Sequence, residues 1–509
     1  MRTEQKFSSL IYEYFLKRFQ FQRDRYGDLL PAIDALSREF CVAEHTIGAA
    51  LKRLQAEGYI SMRNGRSTRV VFRQAPEEAR RQASRFLSER WEELPDLVRS
   101  VEMTLTPLLA EGFRRMSGEE LSDLLRFSRR ARMDDLPYVS CYAMQKLENQ
   151  LAMNLFWEVA FYTGLPLLME EGGKEACQKE LLQAFLNRAA ACRREGDAKG
   201  LDGALREYYQ ESTRQAFDGI GRLVRPTAEA ERVSFTWRIH REQPQVCYSL
   251  ALLLLHDMNL GAYQEAAFLP SYGKMALRYG ASVSTVRRAV SLLSSLGAAR
   301  PVNGRGTRII RTKEEAARPD LACPAVRRNL AFYYQAFDMM LYSCEEVFRA
   351  AFDALTPEET AGLTERLEAY RSAGRCELTL CRLLLFAARH SPLRGVRRIY
   401  ERIYGLFLLG YPLKLSQADT SDLDREEERL TESMLEALRA GDAARGAAVI
   451  LRFLRMEFPK AERFLLNHGI EPEELRINRS IRLLIPELLH NGESRGGDVE
   501  RLRVPRPPA

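Results

Sequence analysis

The first 75 residues place apolar side chains at intervals that predict three helices. Helical spacing is kept within three groups of apolar residues: Phe7, Leu10, Ile11, Tyr14 and Phe15; Ile33, Leu36 and Phe40; and Ile47, Ala50, Leu51 and Leu54. Pro31 precedes the second group, and we expect it to open that helix because proline has no N–H to lose there. Gly58 follows the third group and supplies the left-handed conformation that ends a helix.

The same stretch ends in a pattern that predicts two short strands. Tyr59-Ile60 and Arg69–Phe72 are rich in aromatic and β-branched residues, and Asn64-Gly65 between them is typical of a hairpin turn. Three helices and a hairpin make a winged helix-turn-helix. In that fold the third helix can enter the major groove of DNA, while the hairpin, or wing, contacts the backbone or a minor groove.

The whole pattern returns farther along the chain at a constant offset of 239 in residue number, without a gap from Leu30 to Arg69. The matching positions are Leu30-Pro31 with Leu269-Pro270, Thr46 with Thr285, Ala50 with Ala289, Leu54 with Leu293, Gly58 with Gly297, and Asn64–Arg69 with Asn303–Arg308. Solenoid repeats have periods of roughly 20–50 residues, so this period does not indicate a solenoid. It predicts that one two-part protein was duplicated and fused.

A long helical pattern follows each winged module and belongs to the same repeat. Ser117 with Glu120, and Thr356 with Glu359, predict two capping boxes at the same offset of 239. Farther along, Gly196-Asp197-Ala198 matches Gly441-Asp442-Ala443 at an offset of 245, so a short insertion separates these points. The duplicated unit therefore includes the helical segment.

These patterns predict a mainly α fold with two winged helix-turn-helix domains, each of three helices plus a small β-hairpin wing, and each followed by an all-α helical bundle. The predicted domains are residues 1–75 (the first module) and 76–226 for the first copy, and 243–312 (the second module) and 313–490 for the second, with a linker at 227–242 and a disordered tail at 491–509.

Composition narrows the class of protein. The chain has 509 residues, of which 46% are hydrophobic, which is enough for several packed domains. Its nine cysteines are scattered, without the spacing of a disulfide framework or a zinc site, so we expect a reducing, cytoplasmic setting. The N-terminus lacks the apolar segment of a signal peptide, and the longest apolar runs, at 250–255 and 404–409, are too short to span a membrane.

Positive charge is concentrated on the repeated modules. Residues 269–313 contain nine Lys or Arg and no Asp or Glu, whereas residues 30–73 contain seven basic and four acidic residues. Together these two stretches carry +12 of a chain whose net charge is +7, which leaves −5 for the rest. A basic surface that coincides with a predicted winged helix indicates a polyanion such as DNA as the partner.

Both modules resemble the N-terminal domain of the GntR family of bacterial transcription regulators. The resemblance lies in the Leu-Pro pair, the start of the third helix, its Leu-x-x-x-Gly end and the Asn-Gly-Arg-Gly/Ser-Thr-Arg wing, and in each copy it covers most of the module. It implies binding to a double-stranded DNA operator. The residues expected at the DNA are Thr46, Asn64, Gly65, Arg66 and Arg69 in the first module, and Ser282, Ser284, Thr285, Arg287, Arg288, Gly304, Arg305, Gly306 and Arg308 in the second.

The two modules keep the family pattern unequally. In the second, Ser282 is placed to cap the recognition helix, and Arg287 and Arg288 are placed to meet base edges or phosphate. The first lacks this serine and these arginines, carries Glu44 where DNA would be close, and has Gly48, which weakens the helix by ~1 kcal/mol. We expect the second module to bind DNA more strongly. The first then reads a different half-site, contacts mostly phosphate, or has a packing role.

The helical segments carry a looser resemblance. Residues 385–393 and 436–443 are similar to parts of the FCD domain, the all-α effector domain of the FadR branch of GntR regulators. Many FCD domains bind a metal through an Asp and three His, and the corresponding positions here read Glu377, Cys381, Thr431 and Phe453. We therefore expect no metal site of that type and no cofactor. A small-molecule effector in the helical segments is left open.

The leading hypothesis is a sequence-specific transcription regulator in which one fused chain acts as a pseudo-dimer on an asymmetric operator. A single chain and a homodimer are both left open. An enzyme is disfavoured, because the sequence has no phosphate-binding glycine loop, no G-x-S-x-G and no His/Cys metal spacing. The alternative is a protein-interaction scaffold in which the first module no longer reads DNA, and Glu44 favours that alternative for this module only.

Overall fold

The structure is a computed structural model that describes residues 4–40, 42–63, 66–130, 136–164, 175–226, 228, 231–239, 246–312, 315, 318–417 and 420–476. Over these residues the chain is mainly helical, with two antiparallel sheets of two strands each. No helix in this part of the chain has the length and apolar character needed to cross a membrane. The predicted Asn64-Gly65 turn and the predicted tail at 491–509 lie outside the described residues.

The chain divides into two compact units. Apart from residues outside the described ranges, the first unit contains Met1–Val98 and Thr106–Glu242, and the second contains Arg99–Leu105 and Gln243–Ile477. Each unit contains three helices and a hairpin, followed by a helical part.

The first module has the helices and wing that its apolar pattern predicts. Its elements are α1 (Glu4–Gln20), α2 (Ile33–Phe40), α3 (Glu44–Ala56), β1 (Ile60–Ser61) and β2 (Arg69–Val70). In the wing, Ile60 pairs with Val70 and Ser61 with Arg69. Helix α1 packs against α3, and the side chains buried there include Ile11, Phe15, Ile47, Leu51 and Leu54. The strand β2 is shorter than predicted: it ends at Val70, whereas the sequence predicts a strand that continues to Phe72.

The prediction that Pro31 opens α2 is wrong, since the helix begins only at Ile33. The reason lies in the wing. Leu29 forms a β-bridge with Arg69, so the chain is extended as it leaves the sheet. The ring of Pro31 also disfavours helical dihedral angles at the residue before it, so the chain stays extended up to Pro31.

The helical part of the first unit follows β2. Its helices are α4 (Pro76–Ser88), α5 (Leu94–Thr104), α6 (Thr106–Arg115), α7 (Gly118–Arg130), α8 (Leu136–Gln145), α9 (Gln150–Thr163), α10 (Glu175–Glu195) and α11 (Ala198–Ile220). The part of α5 from Arg99 onward belongs to the second unit. The predicted capping box of α7 is confirmed: the Glu120 N–H donates to Ser117 Oγ over 3.1 Å, and the Ser117 N–H donates to the Glu120 carboxylate over 2.8 Å. Asp197 caps α11 by accepting from the Gly200 N–H over 2.8 Å.

Residues 231–239, within the predicted linker, form a segment on the first unit, here called the strap, that contains no strand or α-helix. Phe235 and Trp237 of this strap are each 1% exposed. The Phe235 N–H donates to the Glu93 carboxylate over 2.9 Å, and Trp237 Nε1 donates to Asn154 Oδ1 over 2.7 Å. The strap is therefore part of the core of this unit.

The second module has the same order of elements as the first. They are α12 (Val246–Asn259), α13 (Tyr272–Tyr279), α14 (Val283–Ser295), β3 (Ala299–Val302) and β4 (Gly306–Ile309). Helices α13 and α14 begin and end at the offset of 239 from α2 and α3. Phe268 forms a β-bridge with Arg308, at the same offset from the bridge of Leu29 with Arg69.

The helical part of the second unit follows β4. Its helices are α15 (Pro324–Asp353), α16 (Pro357–Ser372), α17 (Thr379–His390), α18 (Arg394–Phe407), α19 (Tyr411–Leu415), α20 (Ser421–Ala440), α21 (Ala443–Asn467) and α22 (Pro472–Leu475). The predicted capping box of Thr356 and Glu359 is confirmed at the start of α16. Asp442 caps α21 by accepting from the Arg445 N–H over 2.9 Å, and this cap is the counterpart of the Asp197 cap of α11 at the offset of 245.

Candidate nucleic-acid interface

A serine fixes the first turn of α14. Ser282 has an extended backbone, and its Oγ accepts a hydrogen bond from the Thr285 N–H over 3.1 Å. The same oxygen lies 2.9 Å from Ser284 Oγ and 2.8 Å from Thr285 Oγ1. Since the first N–H groups of a helix have no partner within it, this cap holds the turn in place. The predicted cap is confirmed, and Ser284 beside it is exposed.

Arg287 and Arg288 are exposed on α14. The opposite face of the helix carries Val286, Ala289 and Leu293, which are buried where α14 packs against α12. Because buried positions recur every three to four residues along a helix, the two arginines point away from the core. Among the described residues, neither guanidinium has an ion-pair partner. Both are available to base edges or phosphates.

The turn between β3 and β4 is built for close backbone approach. Gly304 and Gly306 have φ angles of +73° and +98°, which side chains rarely adopt. No atom lies within 4 Å of the place where a Cβ would stand on either glycine, so the outer surface of the turn is open. Arg305 between them is exposed, and its N–H donates to the Val302 carbonyl over 3.0 Å. The turn thus presents one cation at its tip.

The arginines expected at the two wings have different surroundings. Arg308 is half-buried, forms an ion pair with Glu315, and lies 6.0 Å from the centre of the Phe268 ring. Arg66 and Arg69 of the first module are exposed. Arg308 is therefore engaged by Phe268 of its own module and by Glu315 just after it, whereas the two arginines of the first wing face solvent.

Two of the residues expected at the DNA face the interior. Thr46 and Thr285 are 2% and 8% exposed. A hydroxyl with so little exposed surface has no access to a base or a phosphate, so we correct the expectation for these two threonines. They pack inside the modules, and Thr285 also supplies the N–H that Ser282 caps.

Helix α3 of the first module lacks the features that organise α14. Ala43 occupies its N-cap position, and no side chain caps the helix. Glu44 is exposed in the first turn. Arg53 forms an ion pair with Glu57 over 3.2 Å and lies 3.7 Å from the centre of the Tyr12 ring. The exposed face of α3 therefore has an acid at its start and the paired Arg53, next to the exposed Lys52.

Three exposed cations of the second module were missed as individual site residues. Lys274 and Arg278 lie on α13, and Arg300 lies on β3. Arg278 stands 3.8 Å from Asp257, while Lys274 and Arg300 face solvent. The sequence pattern that could have identified them is the stretch 269–313, which includes all three and contains no acidic residue.

The helical part of the second unit contains a partly open cavity of about 300 Å³, here called the Lys414 cavity. Its walls come from α15, α17, α18, α19, α20 and α21 with their connections. Glu377, Cys381 and Phe453, three of the four positions that correspond to FCD metal ligands, line it, whereas Thr431 Oγ1 lies 2.8 Å from Thr379 Oγ1. Within the described ranges, no three His, Cys, Asp or Glu side chains are grouped as a metal ion requires.

Comparison with known proteins identifies part of the chain. Residues 11–70 match the family model of bacterial regulatory proteins of the gntR family. No curated protein matches the chain.

Solved structures similar to this chain include three bacterial proteins. Streptococcus agalactiae GntR has 16% identity and a TM-score of 0.20, over 42% of this chain and 99% of its own. E. coli McbR/YncC has 15% identity and a TM-score of 0.26, over 43% of this chain and 97% of its own. Lar, which controls the expression of the Listeria monocytogenes agr system and mediates virulence, has 13% identity and a TM-score of 0.19, over 44% of this chain and 99% of its own.

Proposed function

We propose that this chain, whose residues 11–70 form a DNA-binding domain of gntR type, is a sequence-specific transcription regulator that binds its operator through two modules. In this proposal the second module is also a winged helix-turn-helix, and it arose with its helical part by tandem duplication. The observation that carries the proposal is the attachment of each wing. The Leu30 N–H donates to the Thr68 carbonyl over 2.9 Å, and at the offset of 239 the Leu269 N–H donates to the Thr307 carbonyl over 2.8 Å.

Other backbone hydrogen bonds recur at the same offset and support the proposal. From N–H to carbonyl they are Val70 to Asp28 and Ile309 to Ala267, both at 2.9 Å; Tyr59 to Leu54 and Ala298 to Leu293, both at 2.9 Å; and Arg66 to Arg63 and Arg305 to Val302, both at 3.0 Å. These bonds depend on the path of the backbone, so they support a shared fold even where the side chains differ. Gly58 and Gly297 also share a positive φ, at +81° and +83°.

The two modules have unequal roles in this proposal. The capped helix α14 enters the major groove and places Arg287 and Arg288 at base edges or phosphates, while Arg305 at the wing tip meets the backbone. In the first module, Glu44 opposes approach of the start of α3 to DNA, and Arg66 in its wing supplies a phosphate contact.

The finer form of the proposal concerns the assembly. The helical parts are FCD-like domains of the FadR branch, and one chain acts as a pseudo-dimer on two unlike half-sites. The recurrence of element boundaries supports a shared helical fold: α11 begins at Ala198 and α21 at Ala443, an offset of 245, and each follows an aspartate cap. Control by a small molecule in the helical part of the second unit belongs to the same proposal.

The direct test is the double variant Arg287→Ala, Arg288→Ala. An operator fragment is first selected from random double-stranded DNA with the wild-type chain, and affinity is then measured by fluorescence anisotropy. Since each good arginine–base contact is worth about 1–3 kcal/mol, we expect the double variant to lose about 30-fold or more in affinity.

The matched control is Arg193→Ala, Arg194→Ala. This variant also removes two adjacent, exposed positive charges at one helix, but from α10 in the helical part of the first unit. We expect it to bind the operator within about threefold of wild type, a change of less than about 1 kcal/mol. Equal affinity of the Arg287→Ala, Arg288→Ala variant and wild type would overturn the assignment of α14.

A second candidate is favoured for the first module alone. Glu44 is exposed in the first turn of α3, and the helix lacks a cap, so this module could bind another protein while the second reads DNA. A gel-shift experiment with the isolated operator separates the two. If Arg66→Ala leaves both affinity and its salt dependence unchanged, the scaffold alternative is favoured for the first module.

A further inference from the structure

The Lys414 cavity is walled by aromatic rings. Six of its lining residues are aromatic: Tyr333, Phe337, Phe407, Tyr411, Phe453 and Phe464. The Phe407 ring lies 5.6 Å from the Tyr333 ring and 5.5 Å from the Phe337 ring, measured between ring centres. A volume of about 300 Å³ lies at the lower end of the range for small-molecule sites. Its walls and size are those of a pocket for one small organic molecule.

The cations on the cavity wall are already paired with carboxylates. Lys414 Nζ contacts Glu427 and lies 2.9 Å from Asp424 Oδ1. Lys460 Nζ lies 2.7 Å from Glu457 Oε1. Because each ammonium group already faces an acid, neither offers an incoming anion an unopposed positive charge.

Carboxylates outnumber cations on the wall. The lining acids are Glu377, Asp422, Glu427 and Glu457, and the lining bases are Lys414 and Lys460. Glu377 and Asp422 pair with Arg375 and Arg425, which do not line the cavity. The side chains of Glu427 and Glu457 are only 11% and 9% exposed. Burial raises the pKa of Glu427 to about 7 despite the neighbouring lysine, and the nearby Glu377 adds to the rise. Further positive charge in the cavity would stabilise the ionised form of this carboxyl.

The cavity also contains a polar group without a partner. Tyr333 is 8% exposed and lines the cavity, and among the described residues its hydroxyl takes part in no hydrogen bond. Glu457 acts electrostatically on this hydroxyl, because burial and then Glu457 raise the pKa of Tyr333. A buried hydroxyl that opens into a cavity can accept a hydrogen bond from an N–H of a ligand.

From these groups we infer that the Lys414 cavity binds a small organic cation, an ammonium compound with an apolar body. The ammonium group lies among the carboxylates of Glu427, Glu457 and Glu377 and donates to the Tyr333 hydroxyl. The apolar body packs against the aromatic rings, which also attract the cation through their π faces. Each of the two lining lysines is paired with a lining acid, so Glu377 and Asp422 leave the wall with more acids than bases, and an anion of the same size would be repelled.

The corresponding positions of the first unit are neutral. At the offset of 245, Leu182, Ser212 and Gln215 correspond to Glu427, Glu457 and Lys460. Gln178 Nε2 donates to Gln215 Oε1 over 3.2 Å, and Ser212 Oγ donates to Gln178 Oε1 over 2.7 Å, so these side chains bond to one another. We therefore expect one cation per chain, bound in the second unit.

Isothermal titration calorimetry on the full chain tests the inference with three probes of one shape: benzylammonium, benzyl alcohol and benzoate. We expect benzylammonium to bind at one site per chain, about 10-fold or more tighter than benzyl alcohol, because a charge-assisted hydrogen bond contributes about 1.5–3 kcal/mol. Benzoate should bind most weakly. Equal binding of the three probes, tighter binding of benzoate, or no heat from any probe overturns the inference.

Variants locate the site. Glu457→Gln should weaken benzylammonium about 10-fold and leave benzyl alcohol unchanged, since it removes a charge and keeps the shape. Glu436→Gln, an exposed position on α20, is the matched control and should change neither. Ala461→Trp fills the cavity from α21 and should abolish binding of both probes. If benzylammonium binds equally to wild type, Glu457→Gln and Ala461→Trp, the site lies elsewhere and the inference fails.

The regulatory meaning of this site rests on the proposed function, and a separate measurement tests it. Operator affinity is measured with and without saturating benzylammonium, for wild type and Glu457→Gln. A change in wild type that disappears in the variant supports effector control through the cavity. If calorimetry shows binding while operator affinity stays the same, the cation site stands and effector control is rejected. The Arg287→Ala, Arg288→Ala variant should bind benzylammonium normally even though it loses DNA.

Discussion

Ser282 Oγ accepts a hydrogen bond from the Thr285 N–H at the start of α14, whereas Ala43 at the start of α3 offers no such group. The two helices have equal length, so comparing them shows what the cap contributes. Ser282→Ala should lower the free energy of unfolding by about 1 kcal/mol, because one N–H loses its partner.

The reciprocal change tests the same relationship in the first module. Ala43→Ser should raise the free energy of unfolding by about 0.5–1 kcal/mol, since Ala43 already has the extended backbone of an N-cap. Both changes are measured by urea denaturation followed by circular dichroism. A Ser282→Ala variant as stable as wild type would contradict the role assigned to this serine.

The acid at the start of α3 gives a prediction for DNA binding. Glu44→Arg should raise operator affinity about threefold to 10-fold, because it replaces a repulsion with an attraction near phosphate, and it should steepen the dependence on salt. Glu119→Arg is the control, because it makes the same charge change at an exposed position in α7. Equal gains for both variants would indicate a general charge effect and would remove Glu44 from the interface.

The local features of the fold could be predicted from sequence. The third helix of each module follows from apolar residues such as Leu54 and Leu293, and helix caps follow from two residues three positions apart, as with Thr356 and Glu359. The burial of Thr285 was missed, because a threonine in a basic, polar stretch looks like a contact residue when its position on the helix face is not considered.

Features that join distant parts of the chain could not be predicted in this way. The pairing of Arg308 with Glu315 depends on how the chain turns after β4, and the burial of Trp237 depends on where the strap meets α9. The Lys414 cavity draws its walls from residues 333–464, and no local pattern links Tyr333 to Glu457. The sequence singled out three of its lining residues, Glu377, Cys381 and Phe453, only because they correspond to the metal ligands of FCD domains.

The strap makes the first unit depend on residues that the sequence predicts as a linker. Trp237→Ala should lower the free energy of unfolding by about 3–5 kcal/mol, because it removes a fully buried ring and leaves a cavity. Val233→Ala is the control, since Val233 is exposed and its contacts with the unit come from its backbone N–H and carbonyl. Thermal unfolding followed by circular dichroism measures both. Similar melting temperatures for the two variants would mean that the strap contributes little.

The pKa of Glu427 predicts how binding in the Lys414 cavity depends on pH. Burial raises this pKa from 4.5 to about 7. Lys414 of α19 lowers it, whereas the nearby carboxylates of Glu377 and Asp424 raise it. A raised carboxyl pKa means that the folded chain keeps a proton that the unfolded chain loses, so the contribution of Glu427 to stability falls as pH rises through the window from 4.5 to 7.

A bound cation favours the ionised form of Glu427. The affinity of the cavity for the cation should therefore rise with pH as Glu427 loses its proton. From pH 6 to pH 8 we expect benzylammonium to bind up to about 10-fold more tightly. Glu427→Gln should remove most of this dependence, while Glu436→Gln should retain it. Calorimetry at several pH values measures the effect, and an affinity that falls as pH rises would contradict it.

The unequal modules predict an asymmetric complex with DNA. If one chain supplies both modules, a selected operator should contain two unlike half-sites, and sedimentation equilibrium with labelled operator should give one chain per DNA. Shortening the operator to the half-site read by α14 should cost affinity and lower the salt slope, because the phosphate contacts of the first wing are lost. Arg66→Ala should lower the slope on the full operator but not on the half-site, since Arg66 then has no phosphate to meet. A strict requirement for two chains per operator would reject the pseudo-dimer and leave DNA binding by α14 intact.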